Sequence, residues 1–234
     1  MDLLIEAGEA LRQERAKTRT FHLALAIAFL ATAVAGFAPT YYLRGFSARP
    51  ALGPLLHVHG AVFTAWLVLF VVQTALARAH RVGWHKRLGI FGATLATAMV
   101  PLGVVVAIET ARNAASPAAL SFLIFPLGQI ALFGAFVGAA VWNRKRPELH
   151  RRLMVLATAA LMPPAISRIV GSPMLALFAS LLFVAAAIIH DRRTRGRVHP
   201  AYVWGGVAML VSGPLRAAFS HTAAWEAVAR AIAG

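Results

Sequence analysis

Apolar positions in this chain do not recur at the spacing of a surface helix or alternate like those of a half-buried strand. They run on for about 20 residues at a time, which is the length a helix needs to cross a bilayer. Seven such runs stand out: Phe21 to Leu43, Ala51 to Ala77, Leu88 to Ile108, Ala119 to Trp142, Leu153 to Gly171, Pro173 to His190 and Ala201 to Phe219. The fifth and sixth are the shortest and are joined by Gly171-Ser172-Pro173, so one re-entrant hairpin is the alternative there. The expected fold class is all-α, a polytopic transmembrane helical bundle of about seven spans over residues 20–220. Residues 1–19, with Leu3, Leu4, Ile5 and Leu11 among acids and bases, predict an amphipathic segment lying on the membrane, and residues 221–234 a short tail.

Lysine and arginine orient the bundle, because cytoplasmic segments retain positive charge. One side carries seventeen: Arg12, Arg15, Lys17, Arg19; Arg78, Arg81, Lys86, Arg87; Arg144, Lys145, Arg146, Arg151, Arg152; and Arg192, Arg193, Arg195, Arg197. The other carries six: Arg44, Arg49, Arg112, Arg168, Arg216 and Arg230. The expected topology therefore has the N-terminus cytoplasmic and the C-terminus outside, with an odd number of spans. Reading the first run as a cleaved signal peptide, on Ala33-Val34-Ala35, removes a span and spoils this alternation.

Composition agrees. Of 234 residues, 59% are hydrophobic and 13% charged, and the mean hydropathy is +0.70, more apolar surface than a soluble fold of this size can hide. The formal charge of +15 falls between apolar runs, so it reads as topology signal and attraction to anionic lipid headgroups, with no nucleic-acid partner expected. No cysteine is present, so redox chemistry would need haem or another metal held by histidine.

Histidines supply that candidate chemistry. His22, His85, His150 and His199 each open an outward-going run at its cytoplasmic end, and His80 and His190 close inward-going ones at about the same depth. They are candidate metal ligands or proton relays; the competing account is a belt of amphipathic residues satisfied by water and phosphate. Two of them sit in a repeat: His85-Lys86-Arg87-Leu88 returns 65 residues later as His150-Arg151-Arg152-Leu153, pairing spans two and three with spans four and five.

A second set lies toward the outer side. His57 and His59 open span two; at 100° per residue they face nearly opposite ways, and His59 shares a stripe with Phe63, Trp66, Phe70 and Gln73. His59, His57, Trp66 and Gln73 are the candidate cofactor-binding residues. Tyr41, Tyr42, Glu109 and Arg168 are expected near the same level as a polar pocket, with a Glu109–Arg168 ion pair; an interfacial belt is the alternative. Gln73 and Gln129 suit interhelical hydrogen bonds, and Pro163-Pro164 predicts a kink in span five.

The pattern Leu56-His57-Val58-His59-Gly60 with Phe63, Trp66, Phe70 and Gln73, then His85-Lys86-Arg87-Leu88-Gly89, Arg146-Pro147-Glu148-Leu149-His150-Arg151-Arg152-Leu153-Met154 and Arg195-Gly196-Arg197-Val198-His199-Pro200 resembles a family of uncharacterised bacterial polytopic inner-membrane proteins. The resemblance covers most of the chain from Tyr41 onward and implies a multi-pass inner-membrane location but no activity. The histidine-plus-basic helix starts are similar, more faintly, to membrane b-type cytochromes. Three functions stay open: a redox protein holding haem or a metal through interior histidines, a carrier for a small solute, proton or ion, and a non-catalytic accessory or lipid-binding subunit working with a partner or as an oligomer. Hydrolase motifs such as Gly-x-Ser-x-Gly and His-Glu-x-x-His are absent, and the only lysines, Lys17, Lys86 and Lys145, lie in or beside loops, which excludes a retinal Schiff base in span seven.

Overall fold

A computed structural model describes residues 1–114 and 116–233, without the side chains of Asp2, Leu3, Leu4, Ala7, Ala10, Leu11, Arg12 and Arg15. The described residues form ten α-helices and no strand. The amphipathic pattern expected from Leu3, Leu4 and Leu11 lies outside the described side chains. Its backbone continues without interruption into the first span, as helix α1 (Asp2–Phe37). Pro39 lacks the N–H that a regular turn requires, and the chain widens there into a π-helical turn, Ala38–Tyr42, closed by Leu43 N–H donating to Ala38 O at 2.8 Å.

Helices α2 (Pro54–Arg78) and α3 (Val82–Ala114) form a hairpin. A short α4 (Pro117–Phe122), capped by Ser116 Oγ accepting from Ala119 N–H, leads into α5 (Ile124–Trp142). The stretch expected as span five is divided, as Pro163-Pro164 predicts: α6 (Pro147–Ala160) and α7 (Pro163–Val170) meet at 44°. The prolines cannot donate to Ala159 O and Ala160 O; Met162 N–H takes up the first of these at 3.1 Å. Gly171, at φ 72, ends α7 in the left-handed conformation open to glycine, and α8 (Pro173–Arg195) turns back. Helix α9 (Pro200–Phe219) and an amphipathic α10 (Ala223–Ala233) complete the chain.

Five of these helical stretches are long and apolar enough to cross a membrane, namely Ala16–Tyr42, α2, α3, Pro117–Trp142 and α8, and the bent α6–α7 pair makes a sixth if it is one span. The segment expected as a seventh, α9, falls short in apolarity, because Gly205, Gly206, Ser212, Gly213, Pro214 and a buried Arg216 interrupt it. The expected C-terminal tail is more than a tail: α10 buries Trp225, Ala229 and Ala233 against Ala107, Ala111 and Leu123, and Trp225 Nε1 donates to Leu120 O at 3.0 Å. The main core centres on Phe29, Met99, Phe133 and Leu156. Helix α3 packs on α5, α1 on α2 and α7, and α9 on α6 and α8, so the starts of α3, α6 and α9 gather with the end of α8 at one basic end.

Candidate functional site

The basic end is organised by one buried cation. Pro147 starts α6 and Glu148 occupies its first turn, the place where a carboxylate complements the helix dipole. One turn later Arg152 points inward and is 0% exposed. A buried guanidinium survives only if it is paired and hydrogen-bonded, and two carboxylates meet this one. Its Nε and Nη2 donate to Asp191 Oδ2 and Oδ1 at 2.8 and 2.6 Å, a bidentate fork, while Nη1 donates to Glu148 Oε2 at 2.7 Å. Asp191, near the end of α8, is itself 1% exposed and also accepts from the His199 N–H at 3.2 Å. Arg151 and Arg195 join Glu148 from α6 and α8. The Tyr202 ring lies 5.6 Å from the Arg152 guanidinium carbon, and its buried hydroxyl has no hydrogen-bond partner among the described residues.

The imidazoles around this network fall into two pairs. His22, 4% exposed, stands edge-on to His190 at 6.1 Å between ring centroids, and Phe21 stacks flat on His190 at 4.0 Å. His85 and His150, the repeat-related residues, face each other at 6.5 Å with ring planes at 90°. Their immediate surroundings repeat as well. Nδ1 of His85 lies 3.3 Å from Gln73 O, and Nδ1 of His150 lies 2.8 Å from Ala140 O, each a carbonyl on the preceding helix. His22 Nδ1 also lies 2.7 Å from a carbonyl, Thr18 O, one turn back in its own helix. A carbonyl only accepts, so each of these nitrogens donates, and in the neutral ring the lone pair falls on Nε2.

His199 has the opposite assignment. Its Nδ1 accepts from the Ala201 N–H at 3.1 Å and caps α9, so the neutral ring carries its proton on Nε2 and offers no free lone pair. Burial, then the positive charge of Arg152, holds this imidazole below its ordinary value of 6.5. The four histidines expected to ligate a metal, His22, His85, His150 and His199, therefore do not form one centre: the first pairs with His190, the middle two with each other, and the last is a cap. Among the described residues no three His, Cys, Asp or Glu side chains come together as a metal site.

The candidate cofactor residues on α2 are spread along the helix and not gathered. His57 and His59 face apart as expected, His57 toward Tyr41 at 5.9 Å and His59 onto Phe63 at 4.1 Å. Trp66 is buried edge-on against Phe133 at 5.1 Å. Seven-residue steps separate His59, Trp66 and Gln73 by about 10 Å each along the axis, too far for one ligand set.

The outer polar pocket is also redrawn. Glu109 pairs with Arg112 in its own helix at 3.1 Å and not with Arg168. Arg168 instead donates to Pro164 O at 2.7 Å and lies 4.4 Å over the Phe37 ring, because the carbonyl and the aromatic face are beside it on α7 and α1 while Glu109 sits at the end of α3. Tyr41 and Tyr42 do reach α2: Tyr41 donates to His57 O at 3.1 Å, and the Tyr42 hydroxyl shares a 2.7 Å hydrogen bond with Thr64, near the middle of the helix. The expectation missed Asp191 and Tyr202. Asp191 had a visible signal, as a lone acid between His190 and Arg192 in a chain with only eight carboxylate side chains. No protein-family model, curated protein or solved structure matches the chain.

Proposed function

We propose that this chain is a seven-span bacterial inner-membrane protein, its basic end cytoplasmic, that holds a transition-metal centre between His85 and His150 in a redox role. The observation that carries the reading is the matched pair of rings, each with Nδ1 tied to a helix carbonyl and its Nε2 lone pair left over, at 6.5 Å between centroids. An ion held there would need metal–nitrogen bonds of about 2.0–2.1 Å from each ring. Imidazole suits iron, copper and zinc, and an Nδ1–H held by a carbonyl is the outer-shell contact that orients such ligands. A haem iron or a bare ion held there would take its protein nitrogens from these two rings and would supply the electron-transfer chemistry. The seventh span is α9, whose Arg216 is satisfied by carbonyls inside the bundle, and the split of seventeen basic residues to six sets the orientation.

The test is metal analysis and an absorption spectrum of the purified full-length protein. The expected result is one equivalent of metal or a haem spectrum, lost in His85→Ala and in His150→Ala and kept in His199→Asn. A colourless, metal-free preparation that keeps its fold and takes up neither copper, zinc nor haemin overturns the reading. A second reading, a carrier for a small solute, proton or ion, is favoured by the broken α6–α7 span, since discontinuous helices are where carriers expose backbone carbonyls to cargo. Flux into proteoliposomes that is unchanged in Pro163→Ala/Pro164→Ala removes it.

A further inference from the structure

Away from the ion-pair network, α1 and α2 leave an open groove at the basic end with a volume of about 310 Å³, lined chiefly by Arg19, Thr20, Leu23, Ala75, Arg78 and His80. The charge in it is of one sign. No carboxylate lines it, and neither Arg19 nor Arg78 has an acidic partner among the described residues. Neither guanidinium is held by a carboxylate: Arg78 Nε donates to Thr20 Oγ1 at 3.3 Å, and Arg19 donates to the His80 ring.

His80 adds an independent mark. Its φ is 59, the left-handed region, and the only other described residues with positive φ are Gly171 and Gly196. Two of the three left-handed turns thus use the residue that adopts this conformation freely. The turn between α2 and α3 instead keeps a histidine there at a conformational cost, with its side chain lining the groove.

The groove is also amphiphilic in a fixed direction. Leu23 lies one turn beyond Arg19 and Ala75 almost one turn before Arg78, so their backbone positions sit about 5 Å deeper toward the apolar spans than those of the arginines. An anion with an apolar chain fits this order: charge at the arginines, hydrocarbon against leucine and alanine. We propose that the groove binds one anionic phospholipid, its phosphate oxygens between Arg19 and Arg78 beside His80 and an acyl chain along Leu23 and Ala75. Arginine forks match phosphate geometry, and basic clefts between helices at a membrane surface take such headgroups. A free phosphate shares the headgroup chemistry but has no use for the apolar floor, and a choline headgroup brings a cation that two arginines repel. Neither arginine belongs to the His85–His150 pair, so the lipid site stands or falls separately from the metal centre.

The test is native mass spectrometry of the full-length protein in detergent, titrated with phosphatidylglycerol, phosphatidylcholine or inorganic phosphate. Phosphatidylglycerol is expected to bind one to one, ahead of phosphatidylcholine, and to resist displacement by inorganic phosphate. Arg19→Ala/Arg78→Ala is expected to weaken it roughly tenfold or more, the scale of losing charge-assisted hydrogen bonds, while Arg144→Ala, an exposed arginine outside the groove, leaves it unchanged. Should the double variant fold poorly, Arg78→Gln and His80→Gly give the same reading singly, the latter removing the ring and relieving the turn. Wild-type retention in these variants, equal binding of phosphatidylcholine, or full displacement by inorganic phosphate overturns the proposal, the last of these by assigning the groove to free phosphate.

Discussion

The basic end and the far end of the bundle each bury one guanidinium group, Arg152 and Arg216, and they compensate it differently. At the basic end Arg152 meets charge with charge, Asp191 on α8 and Glu148 on its own helix, and the pairing ties α6, α8 and the start of α9 together. At the far end the buried Arg216 and the exposed Arg168 have no carboxylate among the described residues. Arg216 donates to Phe125 O at 2.7 Å and Ser212 O at 2.9 Å and lies 5.7 Å over the Phe125 ring, while Arg168 uses Pro164 O and the Phe37 face. Dipoles and ring faces hold a cation more weakly than an ion pair and dictate less about which helices meet. Close approach does that work at the far end instead. A Cβ on Gly36 would stand 2.2 Å from Ala165 O, and one on Gly60 would stand 2.3 Å from the Tyr41 ring. Pairing sets helix positions at one end and shape sets them at the other.

The largest effect should come from cutting the pair. Asp191→Asn leaves a buried guanidinium without its main counter-charge, and breaking one partner of a buried pair costs about 3–5 kcal/mol. Unfolding of the purified protein by heat or denaturant measures it. Replacing both partners, Arg152→Met with Asp191→Leu, should recover most of the loss, since an apolar pair of similar volume needs no compensation. Arg216→Met at the far end should cost less, about 1–3 kcal/mol, the worth of hydrogen bonds from a charged group and a ring contact. If Arg216→Met destabilises as much as Asp191→Asn, the contrast between the ends is gone.

Glycine substitutions probe the other half of the contrast at a smaller scale. Gly36→Ala drives a methyl group into backbone on α7, which cannot step aside, and should cost about 1–3 kcal/mol as overpacking. Gly128→Ala meets the Arg216 side chain first, its Cδ at 2.4 Å, and not backbone. It should cost less than Gly36→Ala, and a double-mutant cycle with Arg216→Ala should show coupling because the methyl and the arginine compete for one space. Equal costs for Gly36→Ala and Gly128→Ala, with no coupling in the cycle, would show that close backbone approach does not hold the far end.

The same division governs what was legible in the sequence. Long apolar runs announced the helices, and Pro163-Pro164 announced the break between α6 and α7, because both are local properties of the chain. The opposed faces of His57 and His59 follow from helical periodicity and hold. Which distant side chains meet is another matter. Glu109 and Arg168 share a depth in the sequence reading, yet Arg112, three residues along the same helix, takes the carboxylate first. Asp191 lies 39 residues from Arg152, and nothing local says that the α8 end folds over α6. Histidine position was legible while histidine chemistry was not, since the ring tautomer depends on whether a carbonyl or an N–H faces Nδ1. Helix α10 had a readable signal in Trp225, Ala229 and Ala233 at i, i+4 and i+8, which marks one buried face.

The smallest effect should be seen in acid. Neutral His199 caps α9 through Nδ1, and burial together with the Arg152 charge holds its proton affinity below the ordinary value of 6.5. As pH falls through about 6.5 the unfolded chain takes up this proton before the folded chain does, so stability present at neutral pH is lost on acidification. His199→Asn supplies a capping oxygen that does not titrate. Melting temperatures followed from about pH 7.5 to about pH 5.5 should therefore fall less steeply for His199→Asn than for the wild type. The Arg152–Asp191 pair stays charged across that window in both proteins, so the difference in slope belongs to the cap. Parallel slopes would mean that the α9 start holds without its imidazole acceptor, leaving Asp191, through the His199 N–H, as the bond that anchors it.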